Sequence, residues 1–481
     1  MPFSDLQDFI HALENKGMLR RVKAEVSQDL EIAEITDRVV KSGGPALLFE
    51  NVRGHSIPVA INLFGSDARM ALALDVESVE KLPDRLTSFI EMALHPPKGG
   101  FLDKIKALPK LMEAASFLPK HVSGGPCKDV VLKGDSVDLD RFPILKCWPQ
   151  DGGRFITFPC VFTYDPETGR RNVGTYRMQV YDKRSTGMHF HPHKDGARHL
   201  RKAKAPLQAA AVIGADPAVC FAATLPLPPD MDEILFAGVI RQEGVKLTKC
   251  ETMEIEVPAS SEIVLEGTVD PASKRTEGPF GDHTGYYSLA DEFPVFNVTA
   301  ITHRKKPVYH SIIVGPPVQE DCFMGGAIER LFLPLMKMQL QEVVDYHMPY
   351  EGIFHNLMIV SIRKQFPGHA RKVMHAIWGL PQAMFSKVIV VVDDDVNPRD
   401  YREVAWKALN HIDPERDFEF VLGPTDILDH ASRLPGLGSH VGIDATRKWP
   451  GEGFTRPWPD EIKMSPEIKA VVDRKWKDLG L

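Results

Sequence analysis

The chain has 481 residues, with 58 lysines and arginines against 65 aspartates and glutamates for a net charge of −7, and 43% of its residues are apolar. That length corresponds to roughly two to four domains, each able to bury a core without disulfide or metal staples, and the mixed, slightly acidic charge argues against counterion-driven nucleic-acid binding or a basic membrane patch. The six cysteines, at 127, 147, 160, 220, 250 and 322, form no CxxC pair, which excludes a zinc knuckle or thioredoxin-like site and fits a reducing cytosol.

Residues 1–22 read as an amphipathic helix with Ser4 as N-cap and Gly17 as stop, with no signal-peptide core, so a cytoplasmic protein is expected. A helix over 30–41 and apolar runs within 43–54 and 57–64 complete a small α/β domain, placed at 1–110, with a junction near 100–125. From 125 to 315 short strands rich in Val, Ile, Thr, Phe and Tyr alternate with Gly, Pro and Asp turns, the texture of a β-barrel or sandwich. The most apolar window, 209–228, is broken by Gly214, Asp216, Pro217 and Pro226 into two short strands and is no bilayer span of about 20 residues. Beyond 315–317, a helix over 326–346, a strand over 357–362, a helix over 370–378, a buried strand over 387–395 and a helix over 399–410 indicate a doubly wound α/β layer. The Pro-, Gly- and Trp-rich tail is expected to pack on something else.

GxGxxG, Walker A, GxSxG and HExxH strings are all absent from the sequence, which removes the signatures of common nucleotide, hydrolase and zincin chemistry. His189, His191 and His193 alternate, and on a strand all three would share one face, either as a metal or anion site or as a solvent-facing hairpin. Arg177 sits in an apolar β segment, with Gly174 giving room for close backbone approach to a ligand. A buried guanidinium needs a partner. Glu277 and Asp282, bracketing a Gly-Pro-Phe-Gly turn, are the candidates, either as a structural pair or as two acids with separated pKa values. Oxygens of Glu233 and Asn172 with an imidazole would suit Mn²⁺ or Mg²⁺ better than zinc and leave room for phosphate oxygens. Asp393 to Asp395 read as a polar strand end before a helix, or as metal ligands.

The strings GGPALLFENVRG, NVGTYRMQV, the His-rich stretch, LPLPPDMDE, VPASSEIVLEG, EGPFGDHTGYY, KVIVVVDDDVNPRD and PGLGSHVGIDATRKWPGE together resemble the UbiD family of prenylated-flavin-dependent decarboxylases over almost the whole chain. The tail is most similar to the bacterial 4-hydroxy-3-polyprenylbenzoate decarboxylase branch of ubiquinone biosynthesis. The resemblance implies a multidomain α/β protein: an N-terminal α/β domain (1–110), a central split β-barrel of flavin-reductase type that binds prenylated FMN (125–315), and a C-terminal α/β oligomerisation domain with an extended tail (320–481), assembled as a dimer or hexamer. It implies Asn172, Glu233 and His193 as ligands of Mn²⁺ (or Mg²⁺) bridging to the cofactor phosphate, with K⁺ as a further ion. Thr175, Tyr176, Arg177, His189, Phe190, His191, Lys194 and Asp195 would line the cofactor. Arg177, Glu277 and Asp282 match the catalytic Arg and two acids of the family, some of whose members carry Glu at the last position.

The implied reaction is the non-oxidative, reversible decarboxylation of an aromatic acid, with the cofactor as electron sink and Asp282 protonating the product carbon. The Glu277–Arg177 pair would fix geometry and keep Asp282 at a raised pKa. A flavin prenyltransferase would supply the cofactor, and an apolar substrate would be collected at the periphery of the inner membrane. The alternatives are a decarboxylase of another aromatic or unsaturated acid (menaquinone-branch or small phenolic), a flavin-carrying subunit of a carboxylase complex with idle acids, and a protein whose site has decayed. Retention of Arg177, Glu277 and Asp282 together weighs against the idle-acid reading.

Overall fold

The computed structural model describes residues 3–87, 112, 114–228, 231–381 and 383–480. Helix α1 (Leu6–Asn15) buries Leu6, Phe9, Ile10 and Leu13 along one face. Its cap is Asp5, whose carboxylate accepts the Asp8 N–H at 2.8 Å; Ser4 instead hydrogen-bonds to the Asp8 carboxylate, so the cap falls one residue later than the sequence suggested. Gly17, at φ +68, follows the helix end. Strands β1 (Leu19–Val22), β2 (Ala46–Phe49) and β3 (Val59–Ile61), with helix α2 (Glu31–Lys41), form the first unit. Its sheet is completed by Tyr309–His310, returning from the end of the central segment to pair in parallel with β3. The first unit is thus built into the second. Half of the expected junction at 100–125 lies outside the described residues.

The central unit is an antiparallel nine-stranded sheet. Its strands are β4 (Val130–Lys133), β5 (Phe155–Ile156), β6 (Cys160–Tyr164), β7 (Arg171–Thr175), β8 (Met178–Asp182), β9 (Ser185–Gly187), β10 (Leu207–Ile213), β11 (Ile263–Glu277) and β12 (Asp291–His303). The order β5-β8-β9-β12-β11-β10-β6-β7, with β4 also on β12, curls into an open half-barrel. Alternate residues of β10 enter opposite cores: Ala210 and Val212 face α1, and Ala209, Ala211 and Ile213 face Leu265 and Phe296. Burial on both faces is why 209–213 is continuously apolar, while Gln208 near the strand's start is exposed.

The second half of the 209–228 window is not a strand. Asp216 accepts the N–H groups of Ala218 and Val219, and Pro217 opens helix α4 (Pro217–Ala222); α3 (Asp195–Lys202) precedes it and α5 (Glu233–Arg241) follows. An Asp-Pro pair is a helix start, and it outweighed the apolar run.

The C-terminal unit begins with α6 (Glu320–Gln339), which starts six residues before the expected helix. The segment expected to be its last turns is β13 (Val343–His347). The β-branched pair Val343–Val344 opens a strand that lies antiparallel to β14 (Leu357–Ile362), and that pairing overrides the helical pattern. The sheet continues β14-β15 (Val388–Asp393)-β17 (Leu437–Asp444) in parallel, and β16 (Phe418–Pro424) closes it antiparallel. Helices α7 (His369–Trp378) and α8 (Tyr401–His411) pack on it. The acids at the end of β15 are bound by cations and amides: Asp393 accepts the Arg447 N–H at 2.8 Å and Asp395 pairs with Arg447 at 2.7 Å. The tail ends in an exposed helix, α9 (Pro466–Lys475). Among the described residues no helix is long and apolar enough to cross a membrane.

Candidate functional site

Arg177 stands in the tight connection between β7 and β8, and Glu277 is the last residue of β11, fifteen residues long. The loop that follows doubles back as Phe280–Gly281 pairs with Tyr287–Ser288, bringing Asp282 to the same place. Only glycine fits at 281, because a Cβ there would lie 2.1 Å from Trp148 Cδ1. Arg177 uses its whole fork: Nε donates to Glu277 Oε1 at 2.9 Å, Nη1 to Asp282 Oδ2, and Nη2 to Ser288 Oγ at 3.0 Å. Its guanidinium also lies 4.7 Å from the Phe280 ring centroid. Glu277 and Asp282 are both buried, so the arrangement is a desolvated two-acid clamp on one cation.

The acids have unlike surroundings. Glu277 Oε1 also faces His189 Nδ1 at 2.8 Å, while its Oε2 is buried without a partner. Asp282 Oδ1 faces His283 Nδ1 at 2.9 Å and accepts the His283 N–H at 2.8 Å. Burial pushes the Asp282 carboxyl up, but the His283 hydrogen bonds and the Arg177 charge outweigh it and hold the group well below the usual carboxylate range. This corrects the expected raised pKa: Arg177 binds both acids rather than sparing one, and a histidine adds to it.

The three histidines do not share a strand face. Residues 188–194 form an irregular turn leading into α3, because Pro192 has no N–H for a sheet ladder. His189 is sent to Glu277, its ring 4.1 Å from that of Phe293. His191 Nε2 is buried without a partner, and burial pushes its pKa down to about 4. His193 is exposed, its ring against those of His191 and Phe385.

A second cluster lies along β7. Glu233, the first residue of α5, accepts the Val173 N–H at 2.9 Å, and burial pushes its carboxyl up to about 8. Asp232 caps that helix and pairs with Arg171 at 2.5 Å, which fixes α5 against β7. Asn172, next to Val173, is buried with Nδ2 unpartnered. The space at Gly174 is filled by the protein itself: a Cβ there would meet the Tyr176 ring at 2.6 Å, so this glycine admits a neighbouring ring rather than a ligand. Tyr176 stands edge-on to Phe190 at 4.9 Å, and its hydroxyl accepts the Gly196 N–H at 3.3 Å. Burial lowers the Lys194 pKa, against the opposing charges of Asp195, Asp426 and Glu233.

Asn172 Nδ2, Thr175 Oγ1, His191 Nε2 and Glu277 Oε2 are all buried without a hydrogen-bond partner. Folded proteins seldom leave such groups unsatisfied, and this concentration among the expected site residues fits a polar ligand with several acceptor and donor atoms. An amide turned by 180° would present Asn172 oxygen in place of nitrogen, the donor a hard cation needs. Among the described residues no three His, Cys, Asp or Glu side chains gather in a way that suits a metal on their own. The sequence reading missed His283, Ser288 and Phe280 as partners of the clamp, although all three lie in or beside its quoted string. It also missed His355, which no periodic signal marks.

Models described as the 3-octaprenyl-4-hydroxybenzoate carboxy-lyase N-terminal domain, Rift-related domain and C-terminal domain match residues 10–87, 120–317 and 322–445. An uncharacterized protein of Archaeoglobus fulgidus is 51% identical over 484 aligned residues, covering 100% of this chain and 99% of that protein. One from Aquifex aeolicus is 50% identical over 485, with the same coverage. The solved UbiD-class enzyme HmfF from Pelotomaculum thermopropionicum, in complex with FMN, is similar at TM-score 0.80 and 31% identity, over 98% of this chain and 99% of that one. Vanillic acid decarboxylase of Sedimentibacter hydroxybenzoicus, in closed form, is similar at TM-score 0.85 and 28% identity, over 100% and 99%. The chain belongs to the UbiD family of carboxy-lyases.

Proposed function

We propose that the chain decarboxylates an aromatic carboxylic acid with prenylated FMN, its first candidate substrate being a 4-hydroxy-3-polyprenylbenzoate of ubiquinone biosynthesis. The observation that carries the reading is the Arg177 fork joining two buried acids of unlike surroundings. The solved relatives named for FMN, prenylated FMN and vanillic acid support it. When bound, the flavin supplies an electron sink for the charge left by departing CO₂.

The protein's part is to bind, orient and protonate. Asn172, Glu233 and His193 would hold Mn²⁺ or Mg²⁺, with K⁺ as a further ion, against a phosphate. Thr175, Tyr176, Arg177, His189, Phe190, His191, Lys194 and Asp195 would line the flavin. Glu277 keeps Arg177 in place, and Asp282 delivers the proton to the product carbon. Domains at 1–110, 125–315 and 320–481 remain our division. Exposed Phe420 and Leu422 on edge strand β16 support a homo-oligomer, dimeric or hexameric.

The test is co-expression with a flavin prenyltransferase, mass spectrometry of the released cofactor, and CO₂ release from polyprenylated and simple hydroxybenzoates, vanillate included. Turnover of one of these acids, lost in Asp282→Asn at unchanged cofactor occupancy, supports the reading. Bound cofactor with no turnover of any acid would instead favour a flavin-carrying subunit.

A further inference from the structure

Asp282 leads through an imidazole into the C-terminal unit. His283 Nδ1 faces Asp282 Oδ1 at 2.9 Å, and on the far side of the ring His283 Nε2 lies 3.2 Å from Nε2 of His355, in the segment before β14. The His283 ring is stacked on Phe354 at 5.5 Å, which fixes its plane. Two ring nitrogens at that separation form a hydrogen bond only when one carries hydrogen and the other a lone pair. Asp282 has no similar freedom: Oδ2 is taken by Arg177, and Oδ1 by the ring and backbone of His283.

We infer that His283, oriented by His355 across the boundary between the central and C-terminal units, holds the proton that Asp282 passes to the product carbon. The inference rests on the proposed role of Asp282 and assigns where its proton is kept. His283 is a positioning and proton-holding residue that acts through Asp282.

The electrostatics agree with the geometry. Burial alone would strip His283 of its proton, but its hydrogen bond to Asp282 and that carboxylate's charge raise its pKa; Asp426 after β16 adds negative charge, as does Asp321 at the start of α6 once ionised, burial pushing that carboxyl up to about 7. Burial and the neighbouring His283 push His355 down to about 4, against the attraction of Asp426 and Asp429, so His355 is neutral with a lone pair for His283. His283 then donates in both directions as an imidazolium. Decarboxylation of a carboxylate consumes one proton, RCOO⁻ + H⁺ giving RH + CO₂. The Nδ1–H proton moves to Asp282 Oδ1 and from there to carbon, and neutral His283 takes its replacement from water. An acid held as low as Asp282 is a conduit for a proton rather than a store.

The test has two arms on the full chain. In the first, histidines are labelled with ¹³C at Cε1 and titrated by NMR, with the His283 signal assigned by its loss in His283→Asn. We expect the His283 ring to titrate above 6.5, to fall by at least one pH unit in Asp282→Asn, and to fall also in His355→Leu, which removes the acceptor at Nε2. A ring titrating at or below 6.5, or unmoved in Asp282→Asn, overturns the proposal. In the second arm the prenyl-FMN-loaded enzyme acts on the hydroxybenzoate of the panel it turns over fastest. His283→Asn keeps a donor to Asp282 but holds no proton, so turnover should fall at least tenfold and the alkaline limb of the pH profile should disappear at unchanged flavin absorbance. A wild-type profile in His283→Asn, with Asp282→Asn inactive, removes His283 alone; an active Asp282→Asn removes the role of Asp282 itself.

Discussion

Arg177 Nε donates to Glu277 Oε1 at 2.9 Å, joining residues a hundred positions apart in the chain. The bond ties the β7–β8 connection to the far end of β11, so the geometry of the acid clamp depends on the register of the whole half-barrel. Lysine at 177 would keep the charge and lose the fork, which now serves Glu277, Asp282 and Ser288 together. Arg177→Lys is expected to lower decarboxylation by roughly 100-fold or more, because misplacing a reacting group by about 1 Å costs that much. Its thermal unfolding should shift only modestly, since the charge at 177 still faces Glu277 and Asp282. Turnover and Tm measured side by side check both parts.

Gly187 offers a smaller perturbation of the same clamp. A Cβ there would lie 2.8 Å from Glu277 Oε2 and 2.9 Å from the Tyr181 hydroxyl, both ends of side chains that can turn away. Gly187→Ala should displace the Glu277 carboxylate, at about 1–3 kcal/mol of stability because that group is buried and bound by Arg177 and His189. A drop in kcat without loss of fold or of bound flavin is the expected outcome; wild-type kcat would show that the Oε2 position is immaterial.

Arg177, Glu277 and Asp282 were legible because a guanidinium in an apolar strand demands a counter-charge, and the Gly-Pro-Phe-Gly turn brings two acids back toward one point. The imidazole partner of Asp282 was in the same string, yet its value comes from His355, 72 residues away on a loop with no periodic pattern. The alternating histidines misled because alternation implies one face only if the strand exists, and Pro192 with the start of α3 at Asp195 removes it. Apolar runs and turn residues carry the central segment only as far as a barrel or sandwich, and the C-terminal segment to a doubly wound layer; the split form of the barrel follows from the resemblance to the family. The α6 boundary was misread, since Leu, Met and Gln continue a helical pattern almost to the strand that tertiary pairing selects.

Glu320 gives a pH-dependent test outside the clamp. Its Oε1 accepts the Phe64 N–H at 2.7 Å, linking the start of α6 to the first unit, and burial pushes its pKa up from 4.5 to about 7. The folded protein thus keeps a proton that the unfolded chain releases above 4.5. By linkage, stability from this group falls as pH rises from about 4.5 to about 7 and stays low above that. Glu320→Gln retains an acceptor toward Phe64 and cannot ionise. It should raise stability at pH 8 by a few kcal/mol, each pKa unit being worth about 1.4, and leave it nearly unchanged at pH 4.5. Denaturant unfolding at the two pH values reads the difference; equal effects at both would place the cause in packing rather than in ionisation.

The metal reading separates into its ligands. Glu233 and Asn172 are both buried, Glu233 bound to the N–H of Val173, the residue after Asn172, whereas His193 is exposed against Phe385. A cation binding only the folded chain stabilises it by about 2.7 kcal/mol at a hundredfold excess over Kd. Mn²⁺ should therefore raise the Tm of the wild-type protein loaded with its flavin phosphate, and Glu233→Gln and Asn172→Ala should each abolish the rise. His193→Ala should only weaken it, because an exposed imidazole must be recruited from solvent and is replaceable by water. Retention of the full Mn²⁺ response in Glu233→Gln would remove this carboxylate from the ligand set, and its displaced pKa would then reflect burial alone.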